Sequence, residues 1–374
     1  MDHGTLCAAA ADALAATPAA FQPDVVVGFD GFTDRIVDVV ATRASATSFT
    51  PMRTIRELGD KIVAASGKSS NYELVVKQTK IGGNGPIMAN ALCASACRVT
   101  AIGVLGDGAI EPVFKPLTER AARMITLGAP CNTDALEFHD GKIMLVKVAA
   151  LDQVTWPRLV ERCGGLDGLK TLLRGADGIA TVNWTMTLGM TDIWRRLASD
   201  VLPGLRRDRP LWFVDLADPN KRTIDDVRAG METLTLLQKH VDVVLGVNEA
   251  EAQQVLEAFG ERWDSASGEL VAAQKACTVL RKRLGIAWVV CHMVKSAAVA
   301  GADTAVAAQG FFEPNPMITT GAGDHFNAGF FMARLARLDP AHCIQIGAAT
   351  SGHYVRTGQS PTRAQLIEFL RRHI

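Results

Sequence analysis

Short apolar runs alternate with longer helical stretches along most of the chain. The runs are rich in Val, Ile and other aliphatic residues, which predicts buried strands. They read DVVVGFDGF, RVTAIGVLG, ADGIATVNW, PLWFVDL, VDVVLGVN and IAWVVCHM. Helical patterns such as TDIWRRLASDVLPGL and EAEAQQVLEAFG lie between most of them, and further helical patterns follow Gly321. This alternation predicts an α/β fold in which helices cover both faces of a mostly parallel sheet.

Two more polar segments interrupt the alternation, at about 33–80 and 110–150. The second contains LEFHDGKIMLVKVA, in which Asp140-Gly141 separates two apolar arms and predicts a β-hairpin. Together the two segments predict a small β-rich lid above the sheet. The chain contains no internal repeat and no Pro-rich linker, so we expect residues 1–374 to form one domain with a lid.

Net charge, apolar runs and cysteine spacing argue against several classes of protein. The formal net charge is zero over 374 residues, which argues against an electrostatic nucleic-acid binder or a membrane-surface protein. The sequence has no run of 18 uninterrupted apolar residues, and its Ala-rich start lacks the positive charges of a signal peptide. The eight cysteines form no CxxC pair and no zinc-finger spacing, so we expect reduced thiols and a cytoplasmic location.

The sequence TTGAGDHFNAG (Thr319–Gly329) is typical of a site for anion chemistry. Gly321, Ala322 and Gly323 carry little side chain, so an anion can approach their amides at the start of a helix predicted near Asp324. A carboxylate there would repel a phosphate unless it has a chemical task, and accepting a proton from an attacking hydroxyl is one. The alternative is that Asp324 only caps the helix. The chain has no P-loop and no GxGxxG after a strand.

Together with six other motifs, this stretch closely resembles the C-terminal signature of the PfkB, or ribokinase-like, carbohydrate kinases. The other motifs follow the family's order and read GFDGFTD, IGGNGPIMANAL, IGVLGDG, FVDLADPNKR, VNEAEA and RTGQSPT. They extend over nearly the whole chain, from about Asp24 to Thr362. The resemblance implies a ribokinase-like three-layer α/β/α fold with a lid. It also implies phosphoryl transfer from a nucleotide, usually ATP, to a hydroxyl of a sugar or nucleoside-like substrate.

The resemblance further implies roles for particular residues. Asp324 would be the general base, and the amides of the Gly321-Ala322-Gly323 stretch would form the anion hole. Asn248 and Glu251 would hold Mg²⁺ through water, because Mg²⁺ gives up its own water reluctantly. The alternative for this pair is that both residues only begin a helix.

The substrate site implied by the resemblance takes residues from three loops: Gly82, Gly83, Asn84, Asp30, Asp34 and Asn183. Glycine permits close backbone contact, and Asn84 can both donate to and accept from hydroxyls. The spacing of the first motif leaves open whether Asp30 or Asp34 accepts from the sugar. A structural role would explain Asn183 equally well.

Two departures from the family pattern affect the nucleotide and cation sites. Ile318 stands where the family often has an Asp that binds a monovalent cation, so cation activation is in doubt. The nucleotide loop usually reads T-x-G-x-x-G, whereas this chain has CHMVKSA. Without those glycines, His292 or Lys295 becomes the candidate phosphate contact. Thr320 is a further candidate for binding the nucleotide, and the donor is open between ATP and ADP.

These features favour a kinase that acts on a small sugar or sugar acid. Only 6% of the residues are aromatic and two are Tyr, which argues against, without excluding, a nucleoside kinase with a base-stacking site. The altered CHMVKSA loop leaves a catalytically weak sugar-binding regulator as a second alternative. The missing GxGxxG argues against a nicotinamide-dependent dehydrogenase. Because members of the family often pair through the lid, a homodimer of that kind is a further expectation.

Overall fold

The computed structural model describes residues 2–205 and 209–374, which form two sheets and their surrounding helices. The strands are β1 (Asp24–Gly28), β2 (Phe32–Arg43), β3 (Phe49–Pro51), β4 (Leu74–Gly82), β5 (Arg98–Gly103), β6 (Arg123–Thr126), β7 (Cys131–Phe138), β8 (Gly141–Lys147), β9 (Gly178–Thr181), β10 (Leu211–Asp215), β11 (Asp242–Asn248), β12 (Trp288–His292), β13 (Ser296–Ala300) and β14 (Ala305–Gln309). The helices are α1 (His3–Ala16), α2 (Ile55–Ala64), α3 (Asn84–Ala94), α4 (Lys115–Thr118), α5 (Trp156–Arg162), α6 (Gly165–Arg174), α7 (Met190–Arg196), α8 (Ile224–Gln238), α9 (Glu249–Ala258), α10 (Glu269–Leu284), α11 (Ala322–Leu335), α12 (Pro340–Thr357) and α13 (Arg363–Arg371). None of these helices is long and apolar enough to cross a membrane.

The larger sheet runs in the order β14-β13-β12-β11-β10-β9-β1-β5-β6. Neighbouring strands are parallel from β12 to β6, and β13 and β14 add an antiparallel extension at one edge. Successive residues of a strand face opposite sides of the sheet. Along β11, Val243 and Leu245 accordingly pack into one apolar core and Val244 into the other. Burial of both faces of the sheet explains why these strands are continuous apolar runs. The predicted α/β fold is confirmed.

The smaller sheet forms the lid. Its long strand β2 pairs with β3, β4 and β7, and β8 pairs with β7. The predicted hairpin is confirmed as β7 and β8, which are joined through His139 and Asp140. Within the predicted lid segment 110–150, however, strand β6 pairs with β5 in the large sheet. It does so because Ile125 contributes to one core of that sheet and Met124 packs against the other.

The carboxyl ends of the parallel strands meet at one edge of the large sheet, where ligands bind in folds of this kind. Polar residues end or follow five of these strands: Asp30 after β1, Asn183 after β9, Asp215 on β10, Asn248 on β11 and His292 on β12. The topology therefore collects candidate site residues that are far apart in the sequence.

Candidate active site

Helix α11 begins two residues earlier than the sequence predicted, at Ala322. Its cap residue is Gly321, whose φ of 90° lies in the left-handed region that glycine adopts without a steric penalty. Asp324 is therefore the third helical residue, and the alternative that it caps the helix is wrong. Its Oδ1 accepts instead from Nδ2 of Asn84 at 2.9 Å, which joins the first turns of α3 and α11.

Asp324 is buried, with 7% of its surface exposed. Burial raises the pKa of its carboxyl to about 8, and the negative charges of Asp30 and Glu251 act in the same direction. The hydrogen bond from Asn84 opposes the shift. A carboxyl group with a pKa near the working pH can accept and release a proton during a reaction.

One of the three amides predicted for the anion hole already has an acceptor. The N–H of Ala322 donates to the carbonyl of Thr319 at 3.1 Å, so it is already used within the loop. Gly323 and Asp324 occupy the next two helical positions, whose N–H groups have no acceptor within a helix. A methyl group added at Gly323 would lie 3.1 Å from Cε1 of His292, so glycine leaves room for this ring beside the helix start.

Asp30 holds the loops of the site together. Its carboxylate accepts from the N–H groups of Asn84 at 2.9 Å and Gly85 at 2.7 Å, and from Nδ2 of Asn183 at 2.8 Å. Only 1% of Asp30 is exposed, and burial raises its pKa to about 6. Asn183 is equally enclosed, at 2% exposure. Asp30 therefore binds the start of α3, and the side chain of Asn183 binds Asp30 and the N–H of Met186.

Asp34 lies on β2, opposite Lys80 of β4. Burial raises the pKa of its carboxyl, while a hydrogen bond with Thr133 and the charges of Lys80 and Lys142 act against the shift. A methyl group added at Gly82 would lie 2.4 Å from Cγ of Asp34, so the close approach of the two strands requires glycine there. The next residue, Gly83, has a φ of 90° and precedes α3.

Asn248 and Glu251 form a capping box at the start of α9. Oδ1 of Asn248 accepts from the N–H of Glu251 at 3.0 Å, and Oε2 of Glu251 accepts from the N–H of Asn248 at 2.9 Å. Oε1 of Glu251 accepts from the N–H of Asp218 at 3.0 Å. The alternative that the two residues begin a helix therefore agrees with their hydrogen bonds. Burial also raises the pKa of the Glu251 carboxyl group.

A cavity of about 650 Å³ opens beside the start of α11. Asn248, His292, Thr319 and Gly323 contribute to its wall, and the rest is largely apolar. Its volume is typical of a site for a small molecule or cofactor. Burial lowers the pKa of His292 to about 4, so its imidazole is neutral.

The other two predicted nucleotide contacts lie differently. Lys295 is exposed, and its Nζ lies 4.9 Å from the centre of the Phe312 ring, which lines the cavity. The carbonyl of Thr320 accepts from the hydroxyl of Tyr354 at 3.0 Å. Lys295 therefore lies at the rim of the cavity. Thr320 lies on the loop that precedes α11.

Comparison with known proteins identifies the family. A sequence model described as prokaryotic ketohexokinase matches residues 1–373. The chain belongs to this family. A ketohexokinase from Haloferax volcanii is 32% identical over 352 residues, which cover 92% of this chain and 90% of that protein. The resemblance to the ribokinase-like carbohydrate kinases is confirmed, and the protein is a sugar kinase, a phosphotransferase with an alcohol group as acceptor.

Solved structures confirm the ribokinase-like fold. Ribokinase from Arabidopsis thaliana superimposes with a TM-score of 0.63 at 16% identity, over 94% of this chain and 99% of that one. A carbohydrate kinase from Agrobacterium tumefaciens gives a TM-score of 0.63 at 15% identity, over 93% and 97% of the two chains. At these identities the likeness concerns the fold.

Asp215 is an acidic residue beside Glu251 and Asp324, and no sequence motif singled it out. Asp215 ends β10, is 5% exposed, and accepts from Nδ2 of Asn327 at 2.9 Å through Oδ2. Its Oδ1 has no hydrogen-bond partner among the described residues. Burial, together with the charges of Glu251 and Asp324, raises its pKa well above the usual value. Its position at the end of the apolar run LWFVD was the available signal.

Proposed function

We propose that this protein transfers the γ-phosphoryl group of ATP to a hydroxyl of a ketohexose such as D-fructose. The observation that carries the proposal is the buried Asp324, which lies in the first turn of α11 beside an open cavity. The 32% identity to a ketohexokinase supports the choice of a ketohexose over other sugars.

Asp324 would act as the general base. It would accept the proton of the attacking hydroxyl as the new O–P bond forms and the bond between the γ-phosphorus and the leaving ADP breaks. The N–H groups of Gly323 and Asp324 would stabilise the charge on the transferred phosphoryl group, aided by the positive end of the α11 dipole. The hydrogen bond from Asn84 would keep the carboxyl group in place between the two substrates.

Asp34 is our choice for the acidic sugar-binding residue. The carboxylate of Asp30 accepts three hydrogen bonds from the protein. That of Asp34 is also buried, at 5% exposure, but within the described part of the chain it has one hydrogen bond, with Thr133, so more of its acceptor capacity is left for a ligand. On the lid, the carboxylate of Asp34 packs against Gly82, which has no side chain to cover it. We propose that Asp34 accepts from sugar hydroxyls, and that Gly82, Gly83 and Asn84 form the adjoining wall.

The nucleotide would bind in the cavity beside α11, with its phosphates toward Gly323. Two ribokinase structures support an adenine nucleotide as donor, since the Arabidopsis thaliana protein is described as complexed with ribose and ATP and that of Cryptococcus neoformans with ADP. His292 would donate a hydrogen bond to phosphate as a neutral imidazole. Thr320 and Lys295 would contribute from the loop and the rim.

Mg²⁺ fits this edge of the sheet if water and phosphate supply most of its ligands. The described residues contain no cluster of three or more His, Cys, Asp or Glu arranged as a metal site. Asn248 and Glu251 would hold the ion through water. Oδ1 of Asp215, which has no hydrogen-bond partner in the part of the chain that the structure describes, would be a further acceptor at the same edge. When bound, the ion would offset the negative charge of the phosphates.

We also propose that the protein forms a homodimer through its lid and works in the cytoplasm. The edge strand β8 exposes Met144, Leu145 and Val146 in succession, so apolar side chains are exposed on both of its faces. All eight cysteines are free thiols, which suits a reducing compartment.

A substrate panel tests the proposed function. The kcat/KM of the purified protein would be measured for D-fructose, D-ribose, a sugar acid and adenosine, each with Mg-ATP and with Mg-ADP. We expect the highest value for D-fructose with Mg-ATP, with a fructose phosphate as product. A preference for adenosine would identify a nucleoside kinase, and sugar binding without turnover of any substrate would identify a regulator.

A further inference from the structure

The two carbonyl groups before the anion hole are each held by a side chain from inside the protein. The hydroxyl of Tyr354 donates to the carbonyl of Thr320 at 3.0 Å. Nδ1 of His325 lies 2.7 Å from the carbonyl of Gly321. His325 directly follows Asp324, and its ring stacks on that of Tyr354 with 3.6 Å between centres and 11° between planes.

The hydrogen bonds fix the tautomer of His325. A carbonyl can only accept, so Nδ1 must carry the proton and Nε2 must be the acceptor. Nε2 lies 2.8 Å from Oγ of Ser360, which therefore donates to it. Oγ of Ser360 in turn accepts from Nδ2 of Asn90 at 3.2 Å. The chain of hydrogen bonds thus runs in one direction, from Asn90 on α3 to Gly321.

We propose that His325 and Tyr354 are positioning residues that hold the carbonyls of Thr320 and Gly321 away from the transferred phosphoryl group. This inference rests on the proposed function. Gly321 has a φ of 90° and no Cβ, so its own residue adds little rigidity to the peptide groups around it. The N–H of His325 already donates to the carbonyl of Gly321 at 3.1 Å as the first bond of α11, and the imidazole is a second donor that fixes the direction of this carbonyl. A carbonyl rotated toward the phosphoryl group would repel it, and the N–H groups of Gly323 and Asp324 would lose their alignment.

The surroundings of His325 suit this role. The side chain is 2% exposed, and burial is the main cause that lowers its pKa to about 4, with the charge of His353 acting in the same direction. The ring therefore stays neutral near pH 7 and keeps the single proton on Nδ1. Tyr354 remains protonated as well, because burial and the charges of Asp324 and Asp34 raise its pKa to about 12.

Two substitutions of His325 separate positioning from simple packing. In His325→Asn the side-chain amide nitrogen lies near the place of Nδ1 and can still donate to Gly321. In His325→Gln the amide reaches toward Ser360 and the bond to Gly321 is lost. Because misplacing catalytic groups by about 1 Å can cost on the order of a hundredfold, we expect His325→Gln to lower kcat for D-fructose by about tenfold to a hundredfold. The KM for the sugar should change little, and His325→Asn should recover most of the lost kcat.

Tyr354→Phe provides an independent test. It keeps the ring that stacks on His325 and removes only the hydroxyl that holds Thr320, so we expect a smaller fall in kcat, again with little change in KM. Thermal melting would establish that each variant is folded at the assay temperature. Folded His325→Gln and Tyr354→Phe proteins with wild-type kcat would overturn the proposal, as would an Asn variant that recovers nothing.

A spectroscopic measurement keeps the inference separate from the proposed function. If the wild-type protein phosphorylates none of the substrates, the proposed function fails, and the tautomer of His325 then decides the positioning claim. Nitrogen NMR of protein labelled at histidine should show the neutral Nδ1–H form near pH 7. A proton on Nε2, or a charged ring, would overturn the inference.

Discussion

Burial, more than any neighbouring charge, determines how strongly Asp324 holds a proton. Desolvation is the largest cause of its raised pKa, and the charges of Asp30 and Glu251 add to it. Asn84 opposes the shift through its hydrogen bond. The motif indicated which residue is the candidate base. The pKa of that residue was not predictable from the sequence, because its causes lie on three distant segments.

The raised pKa predicts the pH dependence of the reaction. Asp324 can accept a proton only when it is ionised, so kcat/KM for D-fructose should rise with pH through about 8 and level off above that value. The measurement is a pH series of initial rates with both Mg-ATP and D-fructose well below their KM values. Since kcat/KM reports the free enzyme, the unliganded pKa is the relevant one. A rate that stays constant between about pH 6 and pH 9 would contradict a base with this pKa.

The choice between Asp30 and Asp34 shows what the sequence left undecided. Both follow the first strand within one motif, and spacing alone favoured neither. The structure distinguishes them by their partners, since Asp30 binds backbone N–H groups of α3 and the side chain of Asn183. Such partners come from tertiary packing, which a single sequence does not reveal.

At the scale of elements, a glycine lets two strands of the lid approach each other closely. Gly82 ends β4 opposite β2, and a methyl group there would meet the carboxylate of Asp34 at 2.4 to 2.6 Å. No heavy-atom contact of ordinary length is that short, so any larger residue must displace the carboxylate or separate the strands. The position of the Asp34 carboxylate therefore depends on the absence of a side chain at Gly82, the last residue of β4.

Gly82→Ala tests this dependence. The displaced carboxylate would lose its hydrogen bond to the sugar, and a bond to a charged group contributes roughly 1.5–3 kcal/mol. We expect KM for D-fructose to rise about tenfold or more, with a smaller change in kcat. Gly59→Ala in α2 is the matched control, because a methyl group there meets nothing within 4 Å. An unchanged KM in Gly82→Ala would argue against Asp34 as a sugar ligand.

The sequence predicted the strands of the large sheet well and the irregular elements less well. Continuous apolar runs such as VDVVLGVN reflect burial on both faces, which leaves a strong signal. Strand β6 is only four residues long, begins with the exposed Arg123 and lies in a polar segment, so it was assigned to the lid. The start of α11 was misplaced because the left-handed conformation of Gly321, rather than Asp324, ends the loop.

At the scale of the whole molecule, the lid has an exposed edge. Within residues 2–205 and 209–374, strand β8 pairs with a strand on one side only. The exposed fractions are 40% for Met144, 47% for Leu145 and 37% for Val146. Unpaired edge strands with apolar side chains invite pairing with another chain. A second copy of this protein, paired lid to lid, would cover both the unpaired backbone groups and these side chains.

Charges placed on this edge should prevent the pairing. We expect the wild-type protein to sediment as a dimer, and the double variant Met144→Lys with Val146→Lys to sediment as a monomer. The added like charges of the two copies would lie side by side on one face of the joined sheet and repel each other. Val271→Lys on α10 is the control, since Val271 is 45% exposed on a helix of the large sheet. A monomeric wild-type protein, or a double variant that stays dimeric, would rule out the lid dimer.

The most direct test of the central claim compares the wild-type protein with Asp324→Asn. Phosphorus NMR would follow the formation of a fructose phosphate from D-fructose and Mg-ATP, and calorimetry would measure sugar binding to both proteins. We expect turnover by the wild type and a loss of about 10²- to 10⁴-fold in Asp324→Asn, with sugar binding retained. Near wild-type turnover in Asp324→Asn would contradict the role of Asp324 as base. Absence of fructose phosphate with the wild type would contradict a ketohexose as substrate.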